Sequence, residues 1–161
     1  MTYAKDTSVS VARSRAEIED TVTRYGASTF GSMVEDGRAA VVFQCAGRRV
    51  MLDVPLPKLG DFEVYKKRTG YGHTKSTRRT PEQQRIALEQ ACRQRWRALA
   101  LVVKAKLEAV EAGITTFEDE FLAHIVLPDG KTVGGWMRPQ LEAAYERGKM
   151  PPLLPAAGGG S

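Results

Sequence analysis

The chain has 161 residues and a formal net charge of +5, a length at which one domain buries most of its apolar surface without disulfides or metals. Its two cysteines are too few for a disulfide framework, which predicts reduced thiols and a cytoplasmic protein. The first fifteen residues lack the apolar core of a signal peptide, and the longest apolar run, 98–103, is too short to span a bilayer.

The N-terminal region predicts a short arm followed by a helix. Residues 1–13 show no clear periodicity and are expected to form a flexible arm. Ser14 and Glu17 have the spacing of a capping box, and apolar residues recur at helical spacing from Ile18 until Gly26. We therefore expect the folded domain to begin with a helix that starts at Ser14.

Three β-prone runs with tight Gly-containing turns between them follow, at 28–34, 39–45 and 49–55. Their alternation predicts a three-stranded antiparallel meander with one face in the core. The residues predicted for that core face are Val41, Phe43, Cys45, Val50, Leu52 and Val54. Val42 and Met51 fall on the other face, which indicates a second covering layer or a partner.

A strong helix start signal follows at Thr80, with proline next and Gln83 at the capping-box position. No helix breaker occurs before Gly113, so the sequence predicts one long helix over 81–112. An apolar stripe on this helix, centred near Trp96, is broad enough to pack on the sheet. The stripe consists of Leu88, Cys92, Trp96, Leu99, Val103, Leu107 and Val110.

The C-terminal part predicts two short helices, one capped by Thr116 and one over 139–147, with Gly134 and Gly135 as a flexible joint. The folded domain is expected to span 14–148, and 149–161 to be a disordered tail. The predicted fold class is therefore α+β: helix, three-stranded antiparallel meander, basic loop, one long helix packed on the sheet, and two short C-terminal helices.

The segment 66–79, KKRTGYGHTKSTRR, contains six Lys or Arg in fourteen residues and no acid. It lies in a flexible basic loop predicted over 58–80, which has too little apolar surface to fold alone. Between 58 and 97 there are eleven basic residues and four acids, about +7, so the remainder of the chain is near −2. Charge this localised is typical of a nucleic-acid site. The alternative is a solvated loop without a ligand.

Lysine and arginine neutralise phosphates, and the interleaved Tyr65 and Tyr71 are suited to stacking on unpaired bases. This mixture predicts single-stranded nucleic-acid binding without sequence specificity, with DNA favoured over RNA. The predicted binding residues are Lys66, Lys67, Arg68, Tyr71, Lys75, Arg78, Arg79, Arg85, Arg93 and Arg97.

No catalytic constellation is visible in the sequence. Neither histidine lies in a nucleophile or metal motif, and there is no P-loop, dinucleotide fingerprint or Cys-x-x-Cys. The acids at 118–120 suit a helix N-terminus better than a metal site. The sequence therefore predicts no catalysis, no cofactor and no metal.

The order helix, three-stranded meander, basic loop and long helix, over 14–112, resembles the β-β-β-α core of the single-strand annealing proteins of the phage Red-beta and Erf types and the eukaryotic Rad type. The resemblance is one of architecture and matches no invariant motif. It implies a homo-oligomer, as a ring or filament, that anneals DNA strands during recombination. It also implies a DNA-binding groove faced by Lys66, Lys67, Arg68, Lys75, Arg78 and Arg79.

The segments 93–113 and 120–130 are similar to small proteins of tailed phages, which implies a phage origin and the cytoplasm of a host cell. Two alternatives remain. A double-stranded RNA-binding domain has the same order of helix, strands and helix, although the long connection over 55–80 and the long helix argue against it. The other is a phage-encoded interaction protein that inhibits a host factor.

Overall fold

The structure is a computed structural model that describes residues 4, 6–35, 37–68 and 74–149, with the backbone alone described at 67 and 68. Helices pack on one face of a three-stranded sheet, and a separate two-stranded sheet precedes the long helix. The elements in chain order are α1 (Val11–Arg24), β1 (Thr29–Glu35), β2 (Arg38–Cys45), β3 (Arg48–Pro55), β4 (Val64–Arg68), β5 (Thr74–Arg78), α2 (Pro81–Glu111), α3 (Phe117–Phe121) and α4 (Val133–Arg147).

The strands β1, β2 and β3 form the predicted antiparallel meander in that order. Phe30 is opposite Phe43, and Val41 is opposite Leu52. All six residues predicted for the core face of β2 and β3 are buried. Val42 and Met51 are cross-strand partners on the other face and remain partly exposed. The structure thus confirms the meander and its core face.

The long helix α2 begins as its sequence predicts. The Thr80 hydroxyl accepts a hydrogen bond from the Gln83 backbone N–H, while the Gln83 side chain accepts one from the Thr80 backbone N–H. The helix ends at Glu111, and Gly113 follows in the left-handed region with φ 70°. No helix in the described part of the chain is long and apolar enough to cross a membrane.

One hydrophobic core joins the sheet to the helices. Trp96 of α2 is 1% exposed and lies in the same cluster as Ile18 of α1. Phe121 of α3 packs edge to face on Phe43, with ring centroids 5.7 Å apart. Burying these large side chains is the main favourable term for folding.

The start of α1 differs from the prediction. The helix begins at Val11, and the hydroxyl of Ser10, its N-cap, accepts a hydrogen bond from the Arg13 N–H. Ser14 is fully buried within the helix, and its hydroxyl has no hydrogen-bond partner in the described structure. A capping box at Ser14 and Glu17 was therefore the wrong start signal. The earlier start lets Val11 pack against the core.

The described part of the predicted N-terminal arm is packed rather than free. Ala4 is only 4% exposed. The Thr7 carbonyl accepts a hydrogen bond of 3.0 Å from the Gln90 side chain on α2. Small side chains and backbone carbonyls hold this segment, so hydrophobic periodicity could not reveal it.

The basic loop predicted over 58–80 is also different, because most of it has regular structure. A 3₁₀ turn at Leu59–Phe62 leads into the antiparallel pair β4 and β5. Strand β4 contains Val64 and Tyr65, and β5 contains Thr74 and Thr77, β-branched or aromatic residues that favour an extended backbone despite the charge. Residues 69–73, which connect the two strands in sequence, lie outside the described residues.

The last helix is longer than predicted. It begins at Val133. Its N-cap is Thr132, whose hydroxyl accepts a hydrogen bond from the Gly135 N–H. Gly134 and Gly135 therefore belong to the first turn instead of a flexible joint. A Cβ at Gly134 would be only 2.8 Å from the Ala123 carbonyl oxygen, so glycine permits a close approach between segments. Of the tail predicted over 149–161, all but its first residue lies outside the described part.

Candidate nucleic-acid interface

Half of the predicted binding residues, five of the ten, belong to one structure, the antiparallel pair β4 and β5, here called the basic ribbon (64–68 and 74–78). The ribbon contains five Lys or Arg and no acid. Its register places Lys67 opposite Lys75. The charges in the sequence of both strands are therefore all of one sign.

Three described cations of the ribbon are available to a ligand. Lys66, Lys75 and Arg78 are all exposed. Neither lysine forms an ion pair within the part of the chain that the structure describes. Arg78 Nη2 lies 3.2 Å from Glu63 Oε1, but the two side chains are 82% and 55% exposed. Such an exposed pair contributes little, so Arg78 can exchange Glu63 for a phosphate.

One face of the ribbon is turned to solvent, and we call it the free face. Residues at alternate positions of one strand share a face with their cross-strand partners. The exposed side chains that share the free face are Val64, Lys66, Thr74, Ser76 and Arg78. On the opposite face Tyr65 and Thr77 are half-buried. The prediction missed Val64 and the two hydroxyls, because neither segment shows the apolar and polar alternation typical of a half-buried strand.

Arg79 holds the base of the ribbon. Its N–H donates to the Glu63 carbonyl at 2.9 Å, and its Nη1 donates to the Phe62 carbonyl at 3.3 Å. Its guanidinium carbon lies 4.8 Å from the centroid of the Tyr65 ring, a cation–π contact. Arg79 therefore has a structural role that the sequence did not indicate, and it covers one face of the Tyr65 ring.

The ribbon joins α2 directly. The Gln84 side chain donates a hydrogen bond of 3.2 Å to the Arg79 carbonyl, one turn into the helix. Arg85, another predicted binding residue, is exposed and paired with Glu82 on the same helix. Arg85 thus lies close to the ribbon in sequence, but its charge is paired with an acid of its own helix.

Arg93 and Arg97 lie further along α2, away from the ribbon. They lie roughly 18 and 24 Å along α2 from Pro81, at about 1.5 Å per residue. Arg93 donates two hydrogen bonds to Gln90 Oε1, at 3.0 and 2.6 Å. Arg97 pairs with Glu17 of α1, with side chains only 24% and 35% exposed, so it holds two helices together. The remaining predicted residue, Tyr71, lies outside the described residues.

Three side chains of interest for nucleophilic or acid–base chemistry, Cys45, Cys92 and His124, have shifted pKa values. Burial raises the pKa of both thiols, Cys45 and Cys92, which reduces the nucleophilic thiolate. Burial lowers the pKa of His124, and the charge of Lys106 lowers it further, against a hydrogen bond with the Met51 backbone. Among the described side chains, no group of three or more His, Cys, Asp or Glu could hold a metal ion.

Comparison with known proteins gives no match: no family model fits the chain, and no curated protein or solved structure is significantly similar to it. The resemblance to single-strand annealing proteins therefore stays a prediction. Any functional proposal has to rest on the geometry and charge of the basic ribbon.

Proposed function

We propose that this chain binds nucleic acid through the basic ribbon, without sequence specificity and without catalysis. The observation that carries the proposal is a pair of strands with five basic residues and no acid, placed on a solvent-exposed arm. Each phosphate that such a surface neutralises releases condensed counterions, and this release drives non-specific binding.

Three finer statements remain predictions: a preference for single strands, a homo-oligomeric state, and a role in DNA annealing and recombination. The preference for single strands depended on two tyrosines as stacking platforms. Tyr71 lies outside the described residues. The ring of Tyr65 is already in contact with the Arg79 guanidinium. The described geometry supports a phosphate-binding surface more directly than a base-stacking surface.

Salt dependence tests the proposal. If all five ribbon cations contact phosphates, log affinity should fall with log salt at a slope of about −3.5 for single strands and about −4.5 for duplex DNA. Fluorescence anisotropy of a short labelled oligonucleotide measures this slope over a series of salt concentrations. No binding at low salt would refute the proposal and favour the alternative of a protein that inhibits a host factor.

Charge-matched variants show whether the ribbon is the site. Lys66→Ala with Arg78→Ala removes two exposed cations from the free face, and the slope should become shallower by about 1.4 to 1.8. Lys104→Ala with Arg147→Ala removes two exposed cations from α2 and α4 and should leave the slope unchanged. Equal changes in both double variants would refute assignment of the site to the ribbon.

A further inference from the structure

We infer that the ligand of the basic ribbon is duplex DNA, and that the free face of the ribbon enters its major groove. This inference rests on the proposed function, specifies the ligand of the same site, and takes the place of the preference for single strands predicted from the sequence. It follows from the shape of the ribbon and from the side chains that its free face presents.

The dimensions of the ribbon suit the major groove. Two hydrogen-bonded strands lie about 4.8 Å apart, and a five-residue strand is roughly 17 Å long. The major groove of B-DNA is about 12 Å wide and admits a two-stranded β-ribbon, whereas the minor groove is only about 6 Å wide. The ribbon has five residue pairs, Val64↔Arg78 through Arg68↔Thr74. It is therefore a two-stranded β-ribbon of the kind that the major groove admits.

The side chains of the free face suit groove walls and base edges. Lys66 and Arg78 are donors for the phosphates that line the groove, contacts that do not depend on sequence. Thr74 and Ser76 add exposed hydroxyls, which bond to phosphates or to either kind of base edge. Val64 is 47% exposed and offers an apolar contact of the kind made with thymine methyl groups.

The free face lacks what single strands require. Binding of unpaired bases relies on aromatic side chains on which successive bases stack. No aromatic residue stands on the free face at its described positions. The aromatic residue of β4, Tyr65, is on the opposite face, half-buried and in contact with Arg79.

The same geometry discriminates between DNA and RNA duplexes. The major groove of A-form RNA is deep and too narrow for side chains to read. A ribbon that needs a wide groove should therefore prefer duplex DNA to duplex RNA of the same sequence. This order of preference also separates the inference from the alternative of a double-stranded RNA-binding domain.

The test compares four labelled probes at one salt concentration: a mixed-sequence DNA duplex, each of its separate strands, and the corresponding RNA duplex. We expect the DNA duplex to bind most tightly, and methyl green, a major-groove ligand, to compete where the minor-groove ligand netropsin does not. Single strands or duplex RNA bound as tightly as duplex DNA would overturn the inference and leave the proposed function standing. No binding of any probe at low salt would overturn both.

A pair of variants on opposite faces of the ribbon tests the groove contact. Lys66 is on the free face and Lys75 is on the other, and both are exposed. Lys66→Ala should weaken duplex binding about tenfold, as expected for loss of a direct groove contact. Lys75→Ala should weaken duplex binding by about twofold, because that lysine can contact only the phosphates at the edge of the groove. Equal losses in the two variants, with unchanged circular dichroism, would overturn the docking face.

Discussion

Replacement of Trp96 by alanine should remove the largest single contribution to the core. The indole is 1% exposed and belongs to the cluster that joins α2 to the sheet and α1. The Arg15 guanidinium lies over the ring, 5.7 Å from its centroid. The substitution therefore leaves a cavity at the point where all layers of the fold meet.

The expected magnitude follows from the buried surface. A tryptophan buries about 150–250 Å², which corresponds to roughly 4–6 kcal/mol at about 25 cal/mol per Å². Tryptophan-to-alanine substitutions in cores cost about 3–5 kcal/mol. Because folded domains are stable by only about 5–15 kcal/mol, Trp96→Ala should be marginally stable or unfolded. Urea denaturation followed by circular dichroism measures the change, since the substitution removes one of the two tryptophan fluorophores.

Two further variants make this measurement decisive. Val102 is on the same helix but is 47% exposed, so Val102→Ala should change the free energy of unfolding by no more than about 0.5 kcal/mol. Trp96→Phe keeps most of the apolar area and should lose less stability than Trp96→Ala. A denaturation midpoint of Trp96→Ala equal to that of Val102→Ala would refute the packing of α2 on the sheet.

Three other predictions concern local features. Ser14→Ala should raise the free energy of unfolding by about 1 kcal/mol, because it removes a buried hydroxyl without a described partner; a decrease would show that the hydroxyl is satisfied. Gly134→Ala should destabilise by about 1–3 kcal/mol in thermal melts through contact with the Ala123 carbonyl, while Gly60→Ala, with open space around it, should not. Burial lowers the pKa of His124 below its usual 6.5, so the unfolded chain binds the proton more readily. Stability should therefore fall as pH drops through 6.5 and level off below the folded pKa, and His124→Gln should remove this part of the pH dependence.

The elements that could be predicted from sequence have strong local signals. Thr80 and Gln83 specify the start of α2 through their own side chains, and Gly113 marks its end through backbone conformation. The core face of β2 and β3 follows from strict alternation, since each buried position is apolar. Such features depend on residues only a few positions apart, so the sequence alone contains the necessary information.

The features that the sequence did not reveal depend on distant contacts. The choice of Ser10 over Ser14 as N-cap depends on packing of Val11 against the core. For α4, the early start depends on Ala123, which is eleven residues away in sequence and lies close to Gly134. In the basic segment, the density of charge indicated a loop and outweighed the weaker strand propensity.

The candidate site shows the same division. The sequence identified the basic segment because charge is visible residue by residue. It could not show that Arg97 is paired with Glu17, eighty positions away, or that Arg79 binds the base of the ribbon. The pairing of charged side chains depends on tertiary structure, and this pairing decides which cations are available to a ligand.

The hydrogen bonds at the base of the ribbon have a thermodynamic consequence. Arg79 links the 3₁₀ turn, through the Phe62 carbonyl, to Gln84 of α2, so the base of the ribbon is held at the start of that helix. A preoriented arm loses less conformational entropy on association than a loop that must first become ordered. Counterion release then contributes its favourable entropy with little opposing loss. Titration calorimetry should accordingly find binding at low salt to be driven mainly by entropy, and Arg79→Ala should shift that balance even though it removes no groove contact.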